Sequence, residues 1–239
     1  MNSIKDIPDP IMVITAHPDD IEVHGGGTVT QLVSAGKQVT CVLCSSGNRG
    51  TGDPEITMEE LAKLREEEQV AASAILGVRD VRFLRYDDGD LSFVVPDLRD
   101  KLVRLIREVR PQSIVTHDPY PGDGGQDSCS IYPDHTAVGL AAFQSAYVCA
   151  PGPLFYPEHL KEGLKPHKPH IMYLIMSSHP NFFIDVSSVW ETKLRALHHH
   201  RTQGRHTLEN DQEMERIARE NGNHSEFALV EAFRILLPT

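Results

Sequence analysis

Short apolar segments alternate with amphipathic segments along the first 150 residues, and this alternation constrains the fold more than any other feature. Four apolar runs predict strands, at Ile11–Ala16, Val39–Cys44, Asp80–Leu84 and Ser113–Thr116. Helical spacing of apolar residues predicts helices at Gly26–Ala35, Met58–Leu76, Asp97–Val109 and His135–Tyr147. Strands that alternate with helices form β-α-β crossovers and therefore a parallel sheet. We expect an α/β fold: a doubly wound, mostly parallel, Rossmann-like sheet with helices on both faces.

The pattern is less regular after residue 150. Five prolines in Ala150–Pro169 predict a long excursion over the surface. The remaining segments predict two strands, Ile171–Ser177 and Phe182–Val186, and two helices, Val189–Arg201 and Glu213–Glu220. Because there is no internal repeat or low-complexity segment, we expect one domain over residues 1–239 with a decorated C-terminal third.

The helix predicted over Met58–Leu76 has two contrasting sets of residues. Its charged face is Lys63, Arg65, Glu66 and Glu67, and its apolar positions are Leu61, Leu64, Val70 and Ala74. This distribution predicts that the apolar set packs on the sheet.

The balance of charge excludes some partners. Lys and Arg number 23 against 34 Asp and Glu, a net charge of -11, which opposes non-specific binding to nucleic acid or to an anionic membrane surface. The polar N-terminus, Met1 to Pro10, has no signal-peptide pattern, and no apolar run reaches the ~18 residues of a membrane span. We expect a cytoplasmic protein with a small-molecule substrate, no nucleic-acid partner and no membrane insertion.

The four cysteines are expected to be structural thiols. Cys41 and Cys44 lie in a predicted strand, where residues three apart point to opposite faces, so this pair suits neither a zinc knuckle nor a redox turn. Cys129 and Cys149 lie far from both, and we expect no disulfide.

Three polar segments directly follow predicted strands, at residues 16–20, 45–53 and 116–119, and the third continues to Tyr132–His135. The carboxyl ends of parallel strands meet at one edge of a sheet. If the strand order is 3-2-1-4, the first and fourth strands flank the topological switch point, where a crevice forms. The sequence therefore predicts a site at this edge.

Two imidazoles and a carboxylate from these segments form the ligand set of a catalytic zinc site. His17 and Asp20 lie three apart on a turn, and His135 comes from the opposite segment. Asp19 lies between the first two ligands, free to take a proton from water as the water attacks a carbonyl. The alternative is a plain helix N-terminus, with Asp19 or Asp20 as its cap.

Two further motifs suit a structural role better than a functional one. Gly25-Gly26-Gly27 lacks phosphate-loop spacing and a following lysine, so we expect a tight strand-to-helix turn. His198-His199-His200 lies in a helical pattern, where adjacent side chains diverge, so at most one of the three is expected to be functional.

Residues 14–27, with Ala16-His17-Pro18-Asp19-Asp20 at their centre, resemble the signature of the PIG-L/LmbE-like zinc-dependent de-N-acetylases. Further similarities follow in the family's order over roughly residues 11–204. They are the helix segment from Leu64 to Gly77, Asp88-Gly89-Asp90-Leu91, Tyr132-Pro133-Asp134-His135, and the segment from Lys193 through His200-Arg201-Thr202-Gln203. The family hydrolyses N-acetyl groups, mostly from N-acetylglucosamine conjugates.

This resemblance implies a role for each matching residue. Zinc is expected on His17, Asp20 and His135, and substrate binding at Arg65, Asp88 and His200. Catalytic roles are expected for Asp19 as general base and for Tyr132 and Asp134. Tyr132 departs from the family, which has a histidine there that steadies the oxyanion or protonates the leaving amine.

The resemblance therefore predicts a zinc-dependent hydrolase that removes the N-acetyl group from an N-acetylglucosamine-type substrate, in a homo-oligomer, a hexamer in several bacterial relatives. Two alternatives stay open. The first is a catalytically weak or silent sugar-binding protein of the same fold, because Tyr132 replaces the histidine of the motif. A ferrous oxygenase also uses two histidines and one carboxylate, but such sites usually lie on jelly rolls.

Overall fold

A computed structural model describes residues 3–120, 132–223 and 228–237, and its centre is one mixed β-sheet. Its strands are β1 (Ile11–Thr15), β2 (Val39–Ser45), β3 (Asp80–Tyr86), β4 (Ser113–His117), β5 (Ile171–Ile175), β6 (Phe182–Asp185) and β7 (Val230–Leu236). Their order is β3-β2-β1-β4-β5-β7-β6. The first five strands in this order are parallel, and β7 runs antiparallel to both β5 and β6.

Helices cover both faces of the sheet, as the alternating pattern predicted. They are α1 (Asp20–Ser34), α2 (Met58–Leu76), α3 (Val95–Val109), α4 (Pro133–Gln144), α5 (Pro157–Lys161), α6 (Trp190–Leu197) and α7 (Leu208–Gly222). One hydrophobic core joins the sheet to α1, α2, α6 and α7, and a second joins its other face to α3 and α4. None of the helices in these ranges is long and apolar enough to cross a membrane.

The central strands are buried on both faces, which explains their continuous apolar runs. In β1, Ile11 and Val13 point into one core, whereas Met12 and Ile14 point into the other. This alternation follows from the two-residue period of a strand.

The predicted order 3-2-1-4 is confirmed, and β1 and β4 are adjacent. After β1 the chain adds β2 and β3 on one side of β1 in the sheet, and then crosses through α3 to β4 on the other side of β1. The carboxyl ends of β1 and β4 therefore flank the switch point, and the segments that follow them face one crevice.

The glycine triplet lies inside α1, so the predicted turn at Gly25–Gly27 is wrong. The turn is made by residues 16–19, and the helix begins at Asp20. The glycines serve close packing instead. A β-carbon on Gly27 would lie 2.7 Å from Val186, and the backbone N–H of Gly27 donates to the carboxylate of Glu231, 2.8 Å away.

Glu231 lies on β7, a strand that the sequence pattern did not predict. Its carboxylate also accepts from the N–H of Thr28 and from the ammonium of Lys193, at 2.7 Å each. Lys193 in turn donates to the carbonyl of Val23. This buried ion pair satisfies backbone groups in the middle of α1 and ties the helix to the C-terminal strand.

The faces of α2 differ from the prediction. Leu64 and Val70 are exposed, whereas Arg65, Gln69 and Ser73 are buried, at 3%, 0% and 1% exposure. Residues four apart on a helix form one stripe, so α2 directs a polar stripe toward the edge of the sheet. Arg65 and Gln69 of this stripe contact the turn that follows β1.

One buried arginine fixes the first part of the proline-rich excursion. Arg107 of α3 is buried, and its guanidinium donates to five backbone carbonyls between residues 149 and 156. The excursion contains α5, and the helix predicted to reach Tyr147 ends at Gln144, followed by one π-turn.

Three of the four cysteines, Cys41, Cys44 and Cys149, are buried free thiols, as expected. Cys129, and with it most of the polar segment between β4 and α4, lies outside the described residues.

Packing at Gly27 gives a test of this arrangement. We expect Gly27→Ala to lower the free energy of unfolding by about 1–3 kcal/mol, because the added methyl group overpacks against Val186. Gly26→Ala is the matched control, since its β-carbon would have no neighbour closer than 3.5 Å and alanine favours a helix. Denaturant titrations of both variants measure the difference; equal stabilities would contradict the close approach.

Candidate active site

Three predicted ligands converge at the carboxyl edge of β1. Nδ1 of His17 lies 3.2 Å from Nε2 of His135. The carboxylate of Asp20 lies 3.7 Å from Nδ1 of His17 and 3.4 Å from Nε2 of His135. His17 comes from the turn after β1, Asp20 from the first residue of α1 and His135 from the first turn of α4. The predicted triad is therefore brought together within 4.8 Å.

The dimensions of this triad fit a small divalent metal. Four ligands at about 2.0–2.1 Å around a tetrahedral ion lie roughly 3.4 Å from one another. The three separations in the triad, 3.2, 3.4 and 3.7 Å, bracket that value. The donor set, two imidazoles and one carboxylate, is also that of a catalytic zinc site.

The electrostatics of the triad also fit a cation. Burial disfavours a charged imidazole at His17, but the facing carboxylates of Asp134, Asp88 and Asp20 outweigh burial and raise the pKa of His17 to about 10. Burial likewise disfavours the carboxylate of Asp20, yet His135 and His117 hold its pKa well below the usual value. The surrounding groups thus favour positive charge between these side chains, which a divalent metal supplies.

Asp134 and Asp88 orient His17. Nε2 of His17 lies 3.3 Å from the carboxylate of Asp134 and 3.1 Å from that of Asp88. A proton on Nε2 leaves the lone pair of Nδ1 directed at the triad, as in the carboxylate–histidine–metal arrangement. Asp134 also accepts the backbone N–H groups of Gly89 and Leu91, so it fixes the segment that carries Asp88.

Asp19 is held between two arginines. Its Oδ2 accepts from Nε of Arg205 at 2.8 Å, and its Oδ1 lies 3.4 Å from Nη2 of Arg65. Its backbone has a φ of 98°, a left-handed conformation that is rare and costly for a residue with a side chain. Asp19 is the N-terminal flanking residue of α1, but its carboxylate makes no capping bond, so it is free for another role.

Arg65 contacts the turn between β1 and α1. Its guanidinium donates to the carbonyls of Pro18 and Gly47, at 2.5 and 2.9 Å, and thereby fixes the turns that follow β1 and β2. Its expected role in substrate binding stays a prediction. The sequence pattern did not indicate Arg205, which lies just beyond the last matching motif and 186 residues from Asp19.

His117 is a second site residue that we did not predict individually. It is the last residue of β4, its ring stacks on His135 with centroids 4.1 Å apart, and its Nε2 lies 3.1 Å from Oδ2 of Asp20. Burial lowers the pKa of His117 to about 4, so the ring is neutral at neutral pH. The same Nε2 accepts the backbone N–H of Ala16 at 3.1 Å, so His117 connects the end of β1 to Asp20. The sequence signal that could have identified His117 is its position at the end of a predicted strand, at the edge of the sheet that carries the site.

His200 is the buried member of the histidine triplet. It is 0% exposed and its Nε2 lies 3.2 Å from the equally buried carboxylate of Glu22. Burial opposes protonation, but the contact with Glu22 outweighs it and raises the pKa of His200. His198 instead lies at the surface beside Asp211. The substrate-binding role of His200 stays a prediction, because the ring contacts Glu22.

Tyr132 lies at the opening of the crevice. Its side chain is 51% exposed, and its ring stacks on that of His135 with centroids 5.1 Å apart. Tyr132 therefore flanks a predicted metal ligand, with its ring accessible from solvent.

A second group of possible ligands, Asp100, Glu158 and His159, lies beside the excursion. Nε2 of His159 lies 2.9 Å from Asp100, and Nη1 of the cationic Arg107 lies 3.4 Å from its other nitrogen. This arrangement already pairs both nitrogens of His159, so we assign the group to fixing α5.

Comparison with known proteins agrees with this geometry. The family model PIG-L, GlcNAc-PI de-N-acetylase, matches residues 12–146, more than half of the chain, and includes the whole triad. The chain belongs to the PIG-L family. A diacetylchitobiose deacetylase of Thermococcus kodakarensis is 34% identical over 194 residues, 81% of this chain and 69% of that protein.

Two other PIG-L comparisons are informative. A 1D-myo-inositol 2-acetamido-2-deoxy-alpha-D-glucopyranoside deacetylase of Streptomyces avermitilis is 35% identical over 180 residues, 65% of this chain and 58% of that protein. The chain thus spans somewhat more than half of this relative. The structure of N,N'-diacetylchitobiose deacetylase from Pyrococcus horikoshii, complexed with its inhibitor MPG, superposes with a TM-score of 0.88 at 28% identity, covering 98% of this chain and 85% of that one.

The contact between His117 and Asp20 predicts an effect on metal affinity. We expect His117→Phe to weaken the binding of a divalent metal at the triad by about 10–100-fold, because Asp20 and the N–H of Ala16 both lose the nitrogen that lies between them. His117→Gln, which restores an N–H near the position of Nε2, is expected to recover part of the affinity. Calorimetric titration of metal-free protein measures both, and wild-type affinity in His117→Phe would exclude an orienting role.

Proposed function

We propose that this protein is a zinc-dependent hydrolase that removes the N-acetyl group from an N-acetylglucosamine-type substrate. The observation that carries the proposal is the convergence of His17, Asp20 and His135 with Asp19 beside them, in a PIG-L family member. Zinc is proposed because two imidazoles and one carboxylate that leave a position open are typical of catalytic zinc sites.

A divalent metal held by His17, Asp20 and His135 would polarise the acetyl carbonyl and lower the pKa of a water molecule bound beside it. Asp19 is proposed to take the proton from that water as the water attacks the carbonyl. The two arginines on Asp19 support this role because they fix the direction of its carboxylate. When the C–N bond breaks, Asp19 returns the proton to the amine, and the products are acetate and the free amino sugar.

Two other groups are proposed to act on the substrate. Tyr132 takes the place of the motif histidine, and its hydroxyl donates a hydrogen bond to the oxyanion that develops on the acetyl oxygen. Its stacking on His135 supports this role because it keeps Tyr132 beside the metal ligands. Asp88, which is half-buried at the crevice, is proposed to bind a sugar hydroxyl with the carboxylate oxygen that does not contact His17.

The alternative of a silent sugar-binding protein rests on Tyr132 alone. The ferrous oxygenase alternative finds no support, because the sheet is mostly parallel and flanked by helices. The homo-oligomeric state and the cytoplasmic location are parts of the proposal that await measurement by light scattering and by localisation of a tagged protein.

Acetate release separates the proposed enzyme from a binding protein. The substrates to test are those named for relatives: diacetylchitobiose, N-acetylglucosaminyl inositol and N-acetylglucosaminyl malate. We expect zinc-dependent release of one acetate per sugar from at least one of them and its loss after chelation. Binding without acetate release from the same compounds would support the silent alternative.

Replacing Asp19 tests the general base. We expect Asp19→Asn to retain zinc and to lower kcat by about 10²–10⁴, because an amide cannot take a proton from the attacking water. Asp9→Asn is the control, since Asp9 lies at the opposite edge of the sheet, where its carboxylate accepts from the backbone of Gln38. A near-normal kcat in Asp19→Asn would place the base elsewhere.

Replacing Tyr132 tests its hydroxyl. We expect Tyr132→Phe to lower kcat by about tenfold or more with zinc retained, because the oxyanion loses a donor while stacking on His135 is preserved. Tyr132→His, which restores the family residue, is expected to be active. If Tyr132→Phe turns over normally, the hydroxyl takes no part in the reaction.

A further inference from the structure

The strained backbone of Asp19 is held by a side chain outside the proposed catalytic set. The N–H of Asp19 donates to Oε1 of Gln69 on α2, at 3.0 Å. Gln69 belongs to the buried polar stripe of α2, one helical turn after Arg65, which donates to the neighbouring carbonyl of Pro18. Two residues of one helix therefore bind the two polar atoms of the single peptide group that joins Pro18 to Asp19.

The orientation of Gln69 is itself determined by buried partners. Its amide nitrogen donates to Oε1 of Glu22 at 2.9 Å and to the hydroxyl of Ser73 at 3.1 Å. The other oxygen of Glu22 lies 3.2 Å from Nε2 of His200. Because a carboxylate accepts only, the NH₂ group of Gln69 must face Glu22, and its oxygen must face Asp19.

We propose that Gln69, oriented by Glu22 and His200, is a positioning residue for Asp19: its amide oxygen holds the left-handed backbone that sets the direction of the Asp19 carboxylate. The proposal rests on the proposed function, in which Asp19 is the general base. It also gives the buried His200 a role through Glu22 and Gln69, without contact with the substrate.

The physical argument is one of strain and its compensation. A non-glycine residue at a φ of 98° costs of the order of 1–3 kcal/mol and persists only where its surroundings determine it. Without an acceptor at position 69, the buried N–H of Asp19 is unpaired, and the turn gains by relaxing. A small displacement of a reacting group is sufficient to lower a rate constant strongly.

The first experiment removes the acceptor and keeps the shape. We expect Gln69→Met to lower kcat by about tenfold or more, with KM and zinc content within twofold of wild type. The Asp19 amide proton is expected to exchange with solvent at least tenfold faster, as measured by NMR. Ser113→Ala is the control, because Ser113 is equally buried and hydrogen-bonded but lies at the opposite edge of the sheet.

The second experiment exchanges the two side chains. In Gln69→Glu/Glu22→Gln the carboxylate at position 69 accepts from Asp19 and from the new amide, whose oxygen faces His200. The N–H of Asp19 has an acceptor, the two side chains are again an amide and a carboxylate, and the net charge is unchanged. We therefore expect the double variant to recover kcat above Gln69→Glu alone, in which two carboxylates face each other.

The outcomes distinguish this proposal from the proposed function. If wild-type protein releases no acetate, the proposed function fails, while the exchange rate of the Asp19 amide still reports on Gln69. Wild-type kcat and amide protection in Gln69→Met would overturn the proposal. So would a loss that the double variant does not recover, or a parallel loss in Ser113→Ala, because each would show a merely structural effect. If Gln69→Met fails to fold, the comparison of the double variant with Gln69→Glu decides.

Discussion

Four carboxylates meet at the carboxyl edge of β1, and the rest of the site compensates for their burial. A charge removed from water is costly unless it is paired and hydrogen-bonded. Asp19 is paired with two arginines, Asp20 with two histidines, Asp134 with two backbone N–H groups and His17, and Asp88 also with His17. The carboxylates around His17 raise its pKa, so the electrostatics of this edge favour a positive charge.

The topology places these charges together. Reversal of the strand order between β1 and β4 opens the crevice, and the segments after both strands enter it from opposite sides. The third contribution comes from α2, whose buried stripe of Arg65 and Gln69 fixes the turn between β1 and α1. Glu68, next to this stripe, accepts from the backbone and hydroxyl of Thr202 and so joins α2 to the segment that carries His200 and Arg205.

Much of this arrangement could be predicted from the sequence, for identifiable reasons. Strands buried on both faces have continuous apolar runs, so the order of elements and the edge of the sheet that carries the site were readable. His17, Asp20 and His135 follow strands or begin helices at that edge, and they converge as expected. β7 was not predicted, because its polar Glu231 interrupts an apolar run. Contacts with Lys193 and with the backbone of α1 compensate for the burial of this carboxylate.

The same reason explains the error in α2. Hydropathy assigns a charged or amide side chain to the surface, so Arg65 was placed on the outer face of α2, although it and Gln69 are buried at the site. Which polar residues are buried depends on partners far along the chain. Asp19 is 186 residues from Arg205, and Gln69 is 47 residues from Glu22. The hydropathy pattern of a single helix cannot predict contacts with residues so far along the chain. Thus the proposed metal ligands could be read from local motifs, whereas the residues that hold Asp19 in place become visible only once the segments have packed together.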